Sequence, residues 1–374
     1  MNLHLNIFSK IIIPAVLVLS CIMLSGQGRG PFFSSSGLQL IHADLSRGIV
    51  ENGVSLKILE GNVQARQDTL ELYCQRAVYY QEQGKIILSG KVQLVQGSSV
   101  LTAKSVTYFE DRKVAIARGN VKVNRPAREM TADYMEYHYE TEHIISSGHL
   151  ILHDKEHDVT VSARKGEYMP QQEMSFVKEN AHLWQVDSSA TDTLHIFANE
   201  MKYFAGENRR AVALDSVIIL RDRLRATADS VVYFLDDGVA YLEINPHARQ
   251  ENTEVFGKRI KLILPEQELR QIYITGNARA ISMEDSLRGR ENQLEGREIV
   301  MYISERQLSE LQAISNARSQ YYLKEQEEDR GRNVASADTI KIFMKSNELD
   351  SISVIGGAEG TYYPQNYSAG PGRK

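Results

Sequence analysis

Cysteine is scarce in this sequence: its 374 residues include only Cys21 and Cys74. If the N-terminus is removed during export, Cys74 remains alone, and no intrachain disulfide can stabilise the fold. Eight prolines and 25 glycines are too few for a collagen-like or low-complexity chain. A net charge of -5 provides no basic surface, so nucleic acid is not an expected partner. The fold must therefore rest on burial and on backbone pairing.

Short catalytic motifs are also absent from the sequence. It contains no Gly-x-Ser-x-Gly, no His-Glu-x-x-His and no phosphate-binding loop. His149 and His153 are four residues apart, but they alternate with apolar residues and so face outward. They belong to a group that we interpret as surface histidines: His138, His143, His149, His153 and His157. We predict no catalytic activity, no cofactor and no metal.

The N-terminus has the pattern of a targeting segment. Lys10 precedes an apolar run from residue 11 to residue 24, which is too short for an ordinary membrane span. The run fits the core of a signal peptide, which we place at residues 1–26. The segment before Cys21 loosely resembles a lipoprotein processing site, so attachment through a lipidated Cys21 and an uncleaved anchor stay open. Cleavage of a signal peptide and lipidation of Cys21 both predict export.

A repeated Gly-Asn-Val-like motif organises the rest of the chain. Gly61, Gly90, Gly119 and Gly148 are 29 residues apart, and each is followed by alternating apolar residues. Such a spacing indicates a repeat protein, and the alternation indicates a strand with one buried face. The equivalent first positions, with wider spacing near the end, are Glu179, Asp215, Pro246, Gly276, Ser315 and Gly356.

A second motif lies between successive copies of the first. In Leu101, Ala103, Val106 and Tyr108 the apolar alternation slips by one residue after the alanine. A slip sends the apolar side chains to the wrong face unless the strand bends or bulges there. We therefore predict a bent strand at this point in every unit.

These motifs predict an all-β fold of about ten internal repeats, each with two to three short strands. One continuous array is the first choice, with Glu179 as the place for a boundary if there are two bodies. The expected divisions are 38–178, 179–362 and a disordered tail at 363–374. The charged stretch Lys324–Asn333 is expected to be a surface loop.

The motifs resemble the OstA-like family of lipopolysaccharide-transport proteins. The strongest resemblance lies in Gly119-Asn120-Val121 followed by Met130-Thr-Ala132-Asp133-Tyr-Met135-Glu-Tyr137, and in the segment Ala228-Asp229-Ser-Val231-Val-Tyr233. The resemblance extends over about residues 38–362. It implies an open β-jelly roll whose apolar groove accepts the acyl chains of lipopolysaccharide. It also implies that molecules join end to end through edge strands, across the periplasm.

On this resemblance we expect a periplasmic bridge or carrier for lipopolysaccharide transport to the outer membrane. Its partners would be the lipid A acyl chains, other OstA-like transport components and further copies of this chain, head to tail. Two alternatives stay open: a structural or protein-binding scaffold of the cell envelope, and a parallel β-helix enzyme that acts on polysaccharides. The expected groove residues are Val92, Leu94, Leu101, Val106, Tyr108, Val121, Val123, Met130, Met135, Tyr137, Met201 and Tyr203.

Overall fold

A computed structural model describes the residues from Gln39 to Pro364, with short gaps. The described ranges are 39–67, 69–156, 158–186, 193–221, 223–250, 253–265, 269–285, 290–304, 307–325, 328–345 and 348–364. The predicted signal peptide, Cys21 and His157 lie outside them. Across the described ranges, no helix has the length and apolar character needed to cross a membrane.

The described chain is almost entirely antiparallel β-structure in two compact units, which confirms the all-β prediction. The N-terminal unit extends to residue 191 and includes 197–211, and the C-terminal unit comprises 192–196 and the residues from 212 onward. The first strands are β1 (Gln39–His42), β2 (Leu45–Glu51), β3 (Val54–Gln67), β4 (Leu70–Tyr80), β5 (Lys85–Gln96), β6 (Ser99–Phe109), β7 (Val114–Asn124), β8 (Arg128–His138), β9 (His143–Asp154), β10 (Val159–Met169), β11 (Met174–Val186) and β12 (Thr193–Phe204). Single turns of 3-10 helix, Gln81–Gln83 and Pro170–Gln172, connect two of the strand pairs.

The N-terminal unit is a meander in which neighbours along the chain pair in space. Each strand from β3 to β10 pairs antiparallel with the next one. A parallel β-helix would have parallel pairs, and every strand pair described here is antiparallel. The β-helix interpretation is therefore wrong as a fold.

Each long strand bends near its middle, as the slip in the second motif predicts. Between β6 and β7 the register shifts after Thr102, so that Lys104 lies opposite Gly119 and Asn120. Both of these residues are left-handed, with φ of 77° and 50°. A Cβ on Gly119 would come within 2.7 Å of the Lys104 side chain. Glycine therefore allows both the left-handed backbone and the close approach of Lys104.

The same left-handed pair recurs at the other first positions of the motif. It begins at Gly61, Gly90, Gly148, Glu179, Asp215, Gly276, Ser315 and Gly356. The assignment of Pro246 is wrong, because there the pair is Ile244 and Asn245. Proline cannot donate a ladder hydrogen bond, and the chain breaks into two short strands at this point.

The C-terminal unit continues with strands of two kinds. β13 (Arg210–Arg221) and β14 (Leu224–Phe234) precede the short strands β15 (Val239–Glu243), β16 (His247–Gln250), β17 (Thr253–Phe256) and β18 (Arg259–Ile263). The two halves of β14 pair with β16 and β15. Long strands follow: β19 (Gln271–Asp285), β20 (Arg290–Ser304), β21 (Gln307–Glu325), β22 (Glu328–Lys345), β23 (Glu348–Ile355) and β24 (Glu359–Pro364).

The surface-loop prediction for Lys324–Asn333 is wrong. Strand β21 extends to Glu325, β22 begins at Glu328, and Lys324 lies opposite Asp329. A hairpin is held by backbone hydrogen bonds, so it can extend beyond the last apolar pair without further burial. The sequence segment lacks apolar alternation, which is why it looked like a loop.

Candidate functional site

The alternating residues of each strand form a continuous apolar inner surface. In β7 the buried residues are Val121 and Val123 after the bend, and in β8 they include Met130 and Ala132 before it. Cross-strand partners share a face, so Val121 lies opposite Ala132, and Val123 opposite Met130. The inner surface is thus built from residues of the same type in successive rungs.

Eleven of the twelve expected groove residues are buried, and Tyr137 is half-buried. Val92, Leu94 and Val106 are about 1% exposed and lie deep in the apolar layer. Val123 and Met130, each 9% exposed, line an open cavity of the N-terminal unit. The structure therefore brings two of the expected residues to a cavity wall.

The cavity, called the cleft below, lies between the two halves of the bent strands. Its empty space, part of which is open solvent, is about 570 Å³. Ile144 lies before the bend of β9, whereas Leu150 and Leu152 lie after it. The cleft is lined by Val123, Arg125, Arg128, Glu129, Met130, Ile144, Ser146, Leu150, Leu152, His153, Gly166, Glu167 and Tyr168.

Glycine helps to keep the cleft open on β10. A Cβ on Gly166 would come within 2.4 Å of the Leu150 side chain, inside the cleft. The next inward residue, Tyr168, is 6% exposed, and burial raises the pKa of its hydroxyl. The phenol of Tyr168 stays neutral beside the aliphatic side chains, and Glu167 is the charged residue that β10 contributes to the lining.

Two arginines line the cleft near the turn between β7 and β8. Arg125 and Arg128 flank the two-residue turn between β7 and β8, and their backbone groups bond to each other. Nε of Arg128 is 3.6 Å from an oxygen of Asp154, a carboxylate that is 1% exposed. Burial, and then the charge of Arg128, lower the pKa of Arg125.

The C-terminal unit contains a cavity of its own, with about 430 Å³ of empty volume. Leu294, Leu311 and Ile342 supply apolar walls, while Thr253 and Asn292 add polar groups. The hydroxyl of Thr253 donates a hydrogen bond to Ser282, 3.3 Å away. This second cavity is smaller and carries no charged side chain among its lining residues.

Sequence reasoning missed most of the cleft wall. Leu150 and Leu152 carry the same alternation as Val121 and Val123 one repeat earlier, so that signal was available. Ile144 and Tyr168 could not be assigned to a cleft, because only the bend brings them opposite the others. The arginines look like turn residues in the sequence.

The described histidines of this group are half-buried or exposed, with His153 also lining the cleft, and they lie next to acidic or hydroxyl partners. His149 is 89% exposed and bonds to Asp133 at 2.7 Å, and Nδ1 of His153 is 2.9 Å from the Thr160 hydroxyl. The rings of His138 and His143 stack, with centroids 5.5 Å apart. Among the residues that the structure describes, no group of three or more His, Cys, Asp or Glu could hold a metal ion.

Each unit ends in strands with exposed apolar side chains. In the N-terminal unit β1 and β2 pair with β3, and Ile41 and Val50 are 59% and 73% exposed. In the C-terminal unit β23 and β24 pair with β22, and Ile355 and Tyr362 are 49% and 53% exposed. Such edges offer backbone groups for pairing with another chain.

Parts of this chain are similar to known proteins. None of the curated proteins matches the chain. One similar solved structure is LptH of Pseudomonas aeruginosa, described as the LptA-homologous periplasmic component of the lipopolysaccharide transport device. It is 18% identical, with a TM-score of 0.18, over 36% of this chain and 75% of that one. Residues 36–193 match the model of a family described as OstA-like protein.

Proposed function

We propose that this protein is a non-enzymatic carrier of the lipopolysaccharide-transport type, which holds acyl chains in its apolar cleft. The observation that carries the proposal is the cleft itself, an apolar space between the halves of bent strands in the OstA-like region. Burial of a methylene group from water is worth about 0.8 kcal/mol, so a chain that fills the cleft would be held without polar contacts.

The expected groove residues enter the proposal in two roles. Val123 and Met130 would contact acyl chains directly, because they line the cleft. The deeper residues would support its walls, as Val92 and Leu94 do at about 1% exposure. The remaining residues of the proposed set are Leu101, Val106, Tyr108, Val121, Met135, Tyr137, Met201 and Tyr203.

Location and partners follow from the same proposal. We place the protein in the periplasm, exported by residues 1–26 and either free or attached through a lipidated Cys21. Other OstA-like components, or further copies of this chain, would add strands at the exposed edges. The division into 38–178 and 179–362 remains part of the proposal.

A protein-binding scaffold is the second candidate function. The observation that favours it is the exposure of apolar side chains along terminal strands, such as Val50 on β2. Strand addition at such an edge requires no ligand in the cleft. The two candidates differ in one measurable respect, because only the carrier needs an acyl chain to bind.

Titration of the protein with lipopolysaccharide tests the carrier, with displacement of a fluorescent fatty acid as the signal. Met130→Gln and Ile144→Thr introduce polarity on opposite walls of the cleft; the first keeps the side-chain size, and the second also removes one methyl group. Each is expected to weaken binding about threefold to tenfold, because a polar group loses water without gaining a partner.

The controls are the neighbouring outward residues, Thr131→Gln and Ile145→Thr. Ile145→Thr repeats the Ile144 change on the other face of β9, whereas Thr131→Gln places the same glutamine on the other face of β8 without a change in polarity. Binding should stay within twofold of the wild type in both. Failure of the folded wild type to bind, or equal loss in the inward and outward variants, would sink the carrier proposal. Failure to bind together with self-association would favour the scaffold.

A further inference from the structure

The last inward position of each rung carries polar side chains in four successive repeats. Gln67, Gln96, Arg125 and Asp154 each lie six residues after the glycine that begins the repeat. Every second residue of a strand shares a face, so these side chains follow the apolar positions Ala65, Leu94, Val123 and Leu152 on the inner surface. A polar row therefore borders the apolar surface along one side.

Two positive charges lie directly opposite each other in this row. The N–H of Arg125 donates to the carbonyl oxygen of Arg128 at 2.8 Å, and the reverse bond is 3.3 Å. Directly opposed like charges destabilise a strand pair. The corresponding pair one rung earlier is Gln96 and Ser99, which carries no charge. Charge repulsion between the two arginines thus destabilises the hairpin, whereas neutral polar residues at these positions would not.

One of these charges has a counter-charge, and the other lacks one. Asp154 pairs with Arg128 across β8 and β9, with 3.6 Å between Nε and the carboxylate oxygen. Arg125 forms no ion pair with any residue that the structure describes, and its Nε is buried without a hydrogen-bond partner. Arg125 is half-buried, and a guanidinium group that loses water without gaining a counter-charge costs free energy.

The arginines line the cleft beside its apolar wall. Arg125 and Arg128 both line it, two residues from Val123 and Met130, which form its apolar wall. An amphiphile whose chain packs on that wall would bring its charged end to these guanidinium groups. Arginine presents paired donors that match phosphate and carboxylate oxygens.

We infer that Arg125 and Arg128 form a subsite for the anionic head, phosphate or carboxylate, of an amphiphile whose apolar chain occupies the cleft. The inference rests on the proposed carrier function and adds the charge of the ligand to it. Asp154 competes with the ligand for Arg128 and limits the net charge of the subsite to +1. Ligands with an uncharged head bind through the chain alone.

Calorimetric titration with three twelve-carbon probes below their micelle concentrations tests the subsite. Dodecyl phosphate and dodecanoate carry the two candidate anions, and dodecyl maltoside carries none. The wild type is expected to bind at least one anionic probe about tenfold more tightly than the maltoside, because the anion gains a charge-assisted hydrogen bond. The preferred anion identifies the head group.

Three variants, checked for native circular dichroism, separate the subsite from general charge effects. Arg125→Gln should weaken the anionic probe about tenfold and leave the maltoside within twofold. Lys122→Gln removes the same charge from the outer face of β7, where Lys122 pairs with Glu129, and should change neither. Asp154→Asn should strengthen anion binding, because the internal competitor loses its charge.

Two negative results have different meanings. Equal binding of charged and uncharged probes, unchanged in Arg125→Gln, overturns the anionic subsite and leaves the carrier intact. No binding of any probe by the folded wild type overturns the carrier and the subsite with it. Equal weakening by Arg125→Gln and Lys122→Gln also overturns the subsite, because it points to overall charge.

Discussion

Replacement of the glycine at a bend should destabilise the N-terminal unit for two reasons, a strained backbone and a side-chain clash, whose costs can be measured separately. Gly119 has a φ of 77°, and left-handed backbone costs an alanine about 1–2 kcal/mol. The new Cβ would also lie 2.7 Å from Cδ and 3.1 Å from Cβ of Lys104. Moving that side chain off its rotamer adds about 1 kcal/mol. We expect Gly119→Ala to lower the free energy of unfolding by about 2–3 kcal/mol.

Two other glycines of the same unit serve as matched controls. Gly97 has a φ of 55°, and a Cβ added there would meet nothing within 4 Å, so Gly97→Ala isolates the backbone cost of about 1–2 kcal/mol. Gly48 has neither a left-handed φ nor a neighbour within 4 Å, and Gly48→Ala should be nearly neutral.

Urea unfolding can follow this series through the single tryptophan, Trp184, which lies in β11 of the same unit. The linear dependence on urea gives the free energy of unfolding of each variant. Gly119→Ala in a Lys104→Ala background should recover part of the loss, since most of the crowding atoms are then gone. Equal losses for Gly119→Ala and Gly97→Ala, without any recovery, would refute the close-approach argument.

Three further predictions concern the core, the thiol and the edges. Leu94→Ala should lower stability by about 2–5 kcal/mol, because Leu94 is 1% exposed and deep in the layer; a loss below 1 kcal/mol in urea unfolding would contradict this. Burial raises the pKa of Cys74 to about 11, so in a Cys21→Ser background a thiol reagent at pH 8 should modify the folded protein far more slowly than the unfolded one. The raised pKa stabilises the fold below the unfolded value near 9.0, and that contribution should disappear as pH rises toward about 11. The contrary result would be a urea midpoint with the same pH dependence in the wild type and in Cys74→Ala across this window. Val50→Lys should reduce any self-association measured by sedimentation, because it places a charge on an exposed edge strand, whereas Thr131→Lys on a central strand should not.

The sequence made the strand pattern predictable because backbone geometry alone sets it. The alternation around Val121 and Val123 required one buried face, and the slip after Ala103 required a bend, both of which the structure contains. The left-handed pair at Gly119 and Asn120 could not be predicted without knowing which strands lie opposite each other. Glutamate, aspartate and serine take the glycine position in other repeats, so residue type alone does not identify it.

Other features depended on contacts that a single sequence does not encode. Pro246 occupies a position that resembles the motif, yet the bend lies two residues earlier, at Ile244 and Asn245. The cleft arises only where the two halves of bent strands approach, which is why Ile144 was not foreseen. Arg125 belongs to the repeat position of Gln96, but a polar residue beside a proline is also typical of a turn.

The meander between β3 and β11 has a consequence for how the chain acquires its structure. From β4 to β10 every partner of a strand is its immediate neighbour along the chain, so each pairing closes only a hairpin. Low sequence separation of contacts favours fast folding, and repeat arrays can grow from a nucleus by adding one unit at a time. A chain that emerges through a membrane channel from its N-terminus could thus assemble rung by rung, with each completed hairpin serving as the template for the next.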